Sequence, residues 1–207
     1  MLVAVPSKGR AGMVRTQTVV PDCSVFVPSL EAYRKAGSRN VVAVPNEVQG
    51  ITQTRNWILR NTRDRWVVMI DDDVRTHGYV KLLERAAMKV TLDAAQWLAE
   101  FCKIFEVTEG VGYRIWGVAT DGATRAVYPF YPFRWRSYVT ASCMGIINDG
   151  RTYFDESIKE DYELCAFGGP ATLDRERQLL HRRGARQRHY RRRVERQSLV
   201  ISLQFLV

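Results

Sequence analysis

Residues 65–74 read Arg-Trp-Val-Val-Met-Ile-Asp-Asp-Asp-Val, an unbroken apolar run that ends in three consecutive carboxylates. No other stretch restricts the fold as much. A continuous apolar run rich in β-branched residues predicts a strand buried on both faces, as in a parallel sheet covered by helices. Asp71, Asp72 and Asp73 then stand at the carboxyl edge of the sheet, where open α/β folds bind ligands. Adjacent carboxylates repel one another and raise each other's pKa unless a cation neutralises them. A hard divalent ion, Mg2+ or Mn2+, prefers such oxygens. Side chains alternate along an extended segment, so Asp71 and Asp73 are expected on one face and Asp72 on the other. That arrangement suits one acid on a sugar or ribose hydroxyl and one on a metal. The competing reading is a solvated acidic loop after a core strand.

The flanking segments support an α/β sheet. Residues 2–5 form a short apolar strand, followed by Pro6, Ser7, Lys8, Gly9, Arg10, Ala11 and Gly12, a loop with two glycines, a hydroxyl and two cations. Backbone amides in such a loop can cradle a nucleotide's polar groups, although an ordinary strand-to-helix turn has the same composition. A short helix is expected within residues 13–20, a strand at 24–27, a helix over 30–36 capped by Ser29, and a strand at 40–44. Strands alternating with helices imply right-handed crossovers. In residues 51–61, Ile51, Thr54, Trp57 and Ile58 share one helical stripe, with Arg55 and Asn56 near the helix start. From there the two polar residues can reach a diphosphate or the acids, or remain on the surface. Residues 79–90 read as an amphipathic helix, and Thr91 as the cap of a longer one running to Val107. Strands are expected at 111–119 and 126–131. Tyr128, Phe130, Tyr131, Phe133 and Trp135 lie among Arg134 and Arg136, a set that either stacks on bases or packs a hairpin. In residues 138–148, Thr140, Ala141, Ser142 and Gly145 suit a strand over which a ligand approaches closely.

Charge matters here only once it is located. Residues 1–168 carry 21 lysines and arginines against 19 acids, a net of +2, whereas residues 169–207 carry 10 against 3, a net of +7. The basic tail is an electrostatic footprint of the kind nucleic acid attracts. Cys23, Cys102, Cys143 and Cys165 are scattered without metal-binding spacing and read as buried thiols. His77, His181 and His189 form no catalytic or ligand pattern in sequence. No signal-like leader or bilayer-length apolar run is present, so the expected location is cytoplasmic, or nuclear in a eukaryote, with no membrane partner.

A second acidic group, Glu160 and Asp161, opens an expected helix, where the macrodipole favours carboxylates. Taken with the triple Asp, it reads as a base facing a metal-bound donor. The series Val5-Pro6-Ser7-x-x-Arg10, Thr54-Arg55-Asn56, Ile70-Asp71-Asp72-Asp73, Phe154-Asp155-Glu156 and Lys159-Glu160-Asp161-Tyr162 resembles a GT-A glycosyltransferase. More narrowly, it is similar to the TET/JBP-associated glycosyltransferases, the group of the base J glucosyltransferase and of phage enzymes acting on hydroxymethylated pyrimidines in DNA. The resemblance covers roughly residues 2–167. It implies a single GT-A-like domain over residues 1–168, with a mostly parallel sheet flanked by helices. It also implies that Pro6, Ser7 and Arg10 touch the nucleotide, that Arg55, Asn56, Asp71 and Asp72 touch the donor, and that Asp73 with Asp71 holds Mn2+ or Mg2+. Asp161 or Glu160 would face the acceptor hydroxyl. The tail departs from the pattern: residues 169–207 are Arg-rich, with an apolar end over 199–207 that shows no clear crossover to the sheet. An out-of-frame segment and a disordered arm gripping DNA backbone both fit its composition. Related enzymes often carry a late metal-ligating histidine, a role that the departing tail puts in doubt for His181 and His189.

The expected function is therefore transfer of a sugar from a nucleoside diphosphate, most simply a UDP-sugar, to a hydroxyl. The resemblance points to a hydroxymethylated pyrimidine in DNA as acceptor. Two other readings compete: a nucleotidyltransferase on a related sheet, and a non-catalytic DNA-binding relic.

Overall fold

The computed structural model describes residues 1–75, 78–83, 86–120, 133–134, 139, 142–154 and 199–205. The acidic run becomes β4 (Trp66–Ile70), buried from its second residue on. It pairs parallel with β1 (Leu2–Pro6), which pairs parallel with β2 (Ser24–Val27), which in turn pairs parallel with β3 (Val41–Ala43). Beyond β4 lies β9 (Cys143–Ile147), antiparallel to β4 and to β7 (Ile115–Thr120). With β10 (Leu199–Phe205) and β8 (Phe133–Arg134) beyond β7, the order among the described residues is β3-β2-β1-β4-β9-β7-β10-β8, a mostly parallel sheet.

Strand alternation divides the core between two faces. Val3, Val5, Val25, Val27, Val68 and Ile70 point to one side, where Trp97, Phe101, Ile104 and Phe105 of α4 (Ala94–Gly110) cover them. Ala4, Phe26, Val67 and Met69 point to the other, against Ile58 and Leu59 of α3 (Gly50–Asn61). Of the two shorter helices, α1 (Thr16–Val19) is smaller than the sequence suggests, and α2 (Leu30–Lys35) follows Ser29, whose hydroxyl makes no capping bond.

Four expectations require correction. Residues 78–83 and 86–91 form a β-hairpin of β5 (Gly78–Leu83) and β6 (Ala86–Thr91), not an amphipathic helix. Short apolar runs suit either period, and here the β-branched Val80, Val90 and Thr91 with Tyr79 follow their strand preference. Helix α4 is capped by Asp93 rather than Thr91. The Asp93 carboxylate accepts from the Gln96 N–H at 2.9 Å, and the Gln96 side chain accepts from the Asp93 N–H at 3.0 Å, a reciprocal box that satisfies two orphan donors. On α3 the buried face is Arg55, Asn56, Ile58 and Leu59, while Ile51 is 41 % exposed. Gly145 makes room for protein and not for ligand: a Cβ there would lie 2.0 Å from the Trp116 ring, its partner across the β7–β9 ladder. Trp116 in turn packs on Phe101 and Phe105 with ring centroids 5.2 Å away.

The apolar end of the tail enters the sheet as β10 (Leu199–Phe205), parallel to β7 and antiparallel to β8 (Phe133–Arg134). The expected strand at 126–131, the aromatic and arginine residues 128–132 and 135–136, Glu160, Asp161, the three histidines and Cys165 all lie outside the described residues. Cys23 and Cys143 are buried as expected, whereas Cys102 is only partly so. Among the described residues no helix is long and apolar enough to cross a membrane.

Candidate functional site

The chain leaves β1 towards β2 and β3, then returns through α3 to β4 on the other side of β1. The sheet order therefore reverses between β1 and β4, and the crevice at their carboxyl ends is the switch point where such sheets bind ligands. Ser7 and Arg10 follow β1, and the three acids follow β4. The loop between β1 and α1 turns back through Gly9 and Gly12, both at positive φ (71° and 77°), a conformation that other residues adopt only under strain.

The acids do not alternate as an extended strand would require, because the chain turns at Asp72 and Asp73. Asp72 and Asp73 share the Arg10 guanidinium, at 2.7 and 3.1 Å from Nη1, while Asp71 lies 3.5 Å from Arg55 Nη2. Asp72 is buried and both of its oxygens are occupied. Oδ1 takes Arg10 and Oδ2 accepts the Ser7 hydroxyl. Since a carboxylate only accepts, the Ser7 oxygen must in turn accept from the Tyr33 hydroxyl at 3.0 Å, and Tyr33 accepts the Arg10 N–H at 3.0 Å. The result is a directed chain from Arg10 through Tyr33 and Ser7 to Asp72, which ties the β1 loop to the β4 turn. Asp72 is thus placed to hold the loop, whereas Asp71 and Asp73 remain 39 % and 50 % exposed at the side chain.

Arg55 and Asn56 are buried, and they part company. The Arg55 guanidinium lies 5.5 Å from the centroid of the Phe154 ring and beside Asp71, so it joins the acids. Asn56 does not reach them. Its amide donates to the Phe154 carbonyl at 2.8 Å and accepts the Phe154 N–H at 2.7 Å, a two-point grip on the backbone where the described chain stops before residues 155–161. Sequence reasoning named Ser142 and Phe154 without their partners and missed Tyr33 and Thr16. Thr16 is fully buried; its hydroxyl donates to the Asp71 carbonyl and accepts the Val74 N–H, closing the acidic turn. Ser142 accepts the Asp71 N–H through its carbonyl at 3.0 Å. No periodicity marks either Tyr33 or Thr16. The only local cue is a hydroxyl just past the glycine loop.

Beside Ser7 opens a cavity of about 310 Å³, walled by Phe26, Pro28, Val44 and Val48, with Pro6, Lys8 and the start of α3 at its rim. Ile51 and Thr54 face this space rather than the core. Burial pushes the Asp71 carboxyl above the ordinary carboxylate range; Asp73 and Asp72 add to the shift, while Arg55 and a Ser142 hydrogen bond oppose it. An anion held at such a cost favours a nearby cation. Among the described residues there is no group of three or more His, Cys, Asp or Glu side chains that could enclose a metal. The donor set fits a hard cation held by Asp71 and Asp73, the rest of its shell coming from phosphate and water, as Mg2+ usually binds.

A family model described as TET-Associated Glycosyltransferase matches residues 1–166. The chain belongs to that family. No curated protein matches this glycosyltransferase family member significantly. Solved structures share its architecture. A mannosyltransferase from Pyrobaculum calidifontis, in complex with GDP-mannose and Mn2+, is 12 % identical with TM-score 0.51 over 81 % of this chain and 52 % of its own. Glucosyl-3-phosphoglycerate synthase from Mycobacterium tuberculosis, in complex with Mn2+, UDP-glucose and phosphoglyceric acid, is 14 % identical with TM-score 0.51 over 98 % and 69 %. At such identities the likeness is one of fold, and that fold is GT-A. The chain spans about half the length of the mannosyltransferase.

Proposed function

We propose that this GT-A domain transfers a sugar from a nucleoside diphosphate donor, a UDP-sugar, to a hydroxyl. One observation carries the reading: Arg10 and Arg55 converge on three acids at the sheet's switch point, beside a nucleoside-sized cavity, in a member of a glycosyltransferase family. In this reading Pro6 and Ser7 border the nucleoside, and Arg10 and Arg55 compensate the diphosphate. Asp71 meets the ribose or sugar, and Asp73 with Asp71 holds Mn2+ or Mg2+. A bound divalent ion neutralises charge on the leaving diphosphate. Asp72 orients Ser7 and Arg10 for the donor, and Asn56 acts on it at one remove by fixing Phe154. Asp161, with Glu160 beside it, accepts the acceptor's proton as the new bond forms. The bound metals and sugar nucleotides of the two structural relatives support the donor class. The motif resemblance described above points to a hydroxymethylated pyrimidine in DNA as acceptor, and the basic composition of the segment from residue 169 on suits its backbone.

The test is product analysis with a panel of nucleotide sugars, Mn2+, and hydroxymethylated or plain DNA. Release of nucleoside diphosphate with a mass gain on the modified DNA is the expected result. Pyrophosphate release would make the protein a nucleotidyltransferase. Salt-sensitive DNA binding without turnover at any metal concentration would make it a binding relic. Within the same assay, Asp161→Asn is expected to retain donor affinity and lose about 10²–10⁴-fold in single-turnover rate. Near-normal turnover removes Asp161 from that role.

A further inference from the structure

The charges around the β4 turn do not match a metal ion alone. Asp71, Asp72 and Asp73 face Arg10 and Arg55, three negative charges against two positive, and the Arg10 Nη1 sits between Asp72 and Asp73 at 2.7 and 3.1 Å. A divalent cation on Asp73 must face this guanidinium or displace it, and it turns a small negative excess into a positive one. The diphosphate of a sugar nucleotide brings roughly two negative charges, and that of free UDP about two to three, which pair with guanidinium forks readily. Arg10 can make that exchange: its side chain is 47 % exposed on the β1 loop, while its backbone stays anchored to Tyr33.

We propose that Arg10 is a resident counter-ion of the acidic turn that hands over from Asp73 to the donor's diphosphate, making metal and nucleotide bind as a linked pair. The proposal rests on the donor and metal reading above and adds to it a coupling carried by Arg10. Arg10 competes with Mn2+ for Asp73, and the diphosphate competes with the acids for Arg10. Each ligand therefore relieves the obstacle to the other, and by linkage the factor by which UDP tightens Mn2+ equals the factor by which Mn2+ tightens UDP. Asp72, held also by Ser7, keeps the loop in place during the exchange.

The experiment is titration of the full chain with Mn2+ alone, UDP alone and the two together, with free Mn2+ followed by electron paramagnetic resonance and UDP by calorimetry. Wild type is expected to bind Mn2+ weakly alone and at least about tenfold more tightly with UDP. Arg10→Ala should bind Mn2+ alone roughly three- to tenfold more tightly than wild type, the scale of losing one half-exposed ion-pair partner. It should bind UDP alone more weakly and show a smaller coupling factor. Arg10→Gln, which keeps a donor for Asp72, gives the same reading should the alanine variant fail to fold, and Arg10→Lys should stay near wild type. Unchanged or weaker Mn2+ binding in both neutral variants, with Mn2+-dependent UDP binding intact in wild type, overturns this proposal alone. Absence of Mn2+-dependent UDP binding in wild type, or its persistence in Asp73→Asn, overturns the functional reading and this proposal with it.

Discussion

Thr16→Val tests how the acidic turn is held. Valine nearly reproduces the shape of threonine, so the fully buried site stays filled, but the hydroxyl is lost. That hydroxyl donates to the Asp71 carbonyl and accepts the Val74 N–H at 3.2 Å, and Val74 is itself 3 % exposed. Each buried group left unmade costs about 1–3 kcal/mol. Two such groups with partial relaxation give an expected loss of about 2–4 kcal/mol. For a chain of this length that lowers the melting midpoint by roughly 5–15 °C. The variant should also lose about 10–100-fold in Mn2+-dependent UDP affinity, as when a residue supporting metal ligands is removed. Thr108→Val is the control. Thr108 is equally buried, but its hydroxyl bonds the Ile104 carbonyl within its own helix, away from the acids. It should destabilise only slightly and leave binding unchanged. Urea unfolding followed by tryptophan fluorescence, with calorimetry on both variants, makes the comparison. A Thr16→Val protein within about 0.5 kcal/mol of wild type refutes the energetic argument, and one that is destabilised yet binds normally refutes the positioning role.

Asn56→Asp keeps the shape but sets an acceptor oxygen against the Phe154 carbonyl, where the amide now donates at 2.8 Å. Unfolding free energy should fall by about 2–4 kcal/mol, and an unchanged value would show that the grip on Phe154 is dispensable. Burial pushes the Cys23 thiol up to about 12 from an ordinary 9.0. A raised folded pKa means that its contribution is fully present below pH 9 and is lost as pH rises towards 12. Wild type should therefore lose up to about 1.4 kcal/mol per pH unit above 9 from this thiol, and Cys23→Ala should show a shallower alkaline slope. Coincident slopes in thermal melts between pH 8 and 11 would contradict this.

What the sequence determined by itself was local. The apolar runs of β1, β2 and β4 and the acids at the end of β4 were legible because a strand buried on both faces needs an unbroken apolar stretch, and the first residues beyond it must meet solvent or ligand. The cap of α4 was misplaced at Thr91, and the reciprocal bonds of Asp93 and Gln96 emerged only from the structure. Tertiary structure decided everything that depends on partners distant in the chain. For Arg55 and Asn56 the sequence left a site role and a surface role open, until the fold set Asp71 and Phe154 against them, 16 and 98 residues away. Thr16 and Tyr33 carry no periodic signal, because their value lies in hydroxyls reaching groups 55 and 26 residues distant. The insertion of β9 antiparallel beside β4 is likewise invisible in its composition, and Gly145 shows why. Its missing side chain answers the Trp116 ring on the neighbouring strand, and a one-dimensional pattern records a residue's own preference, not the shape of what packs against it.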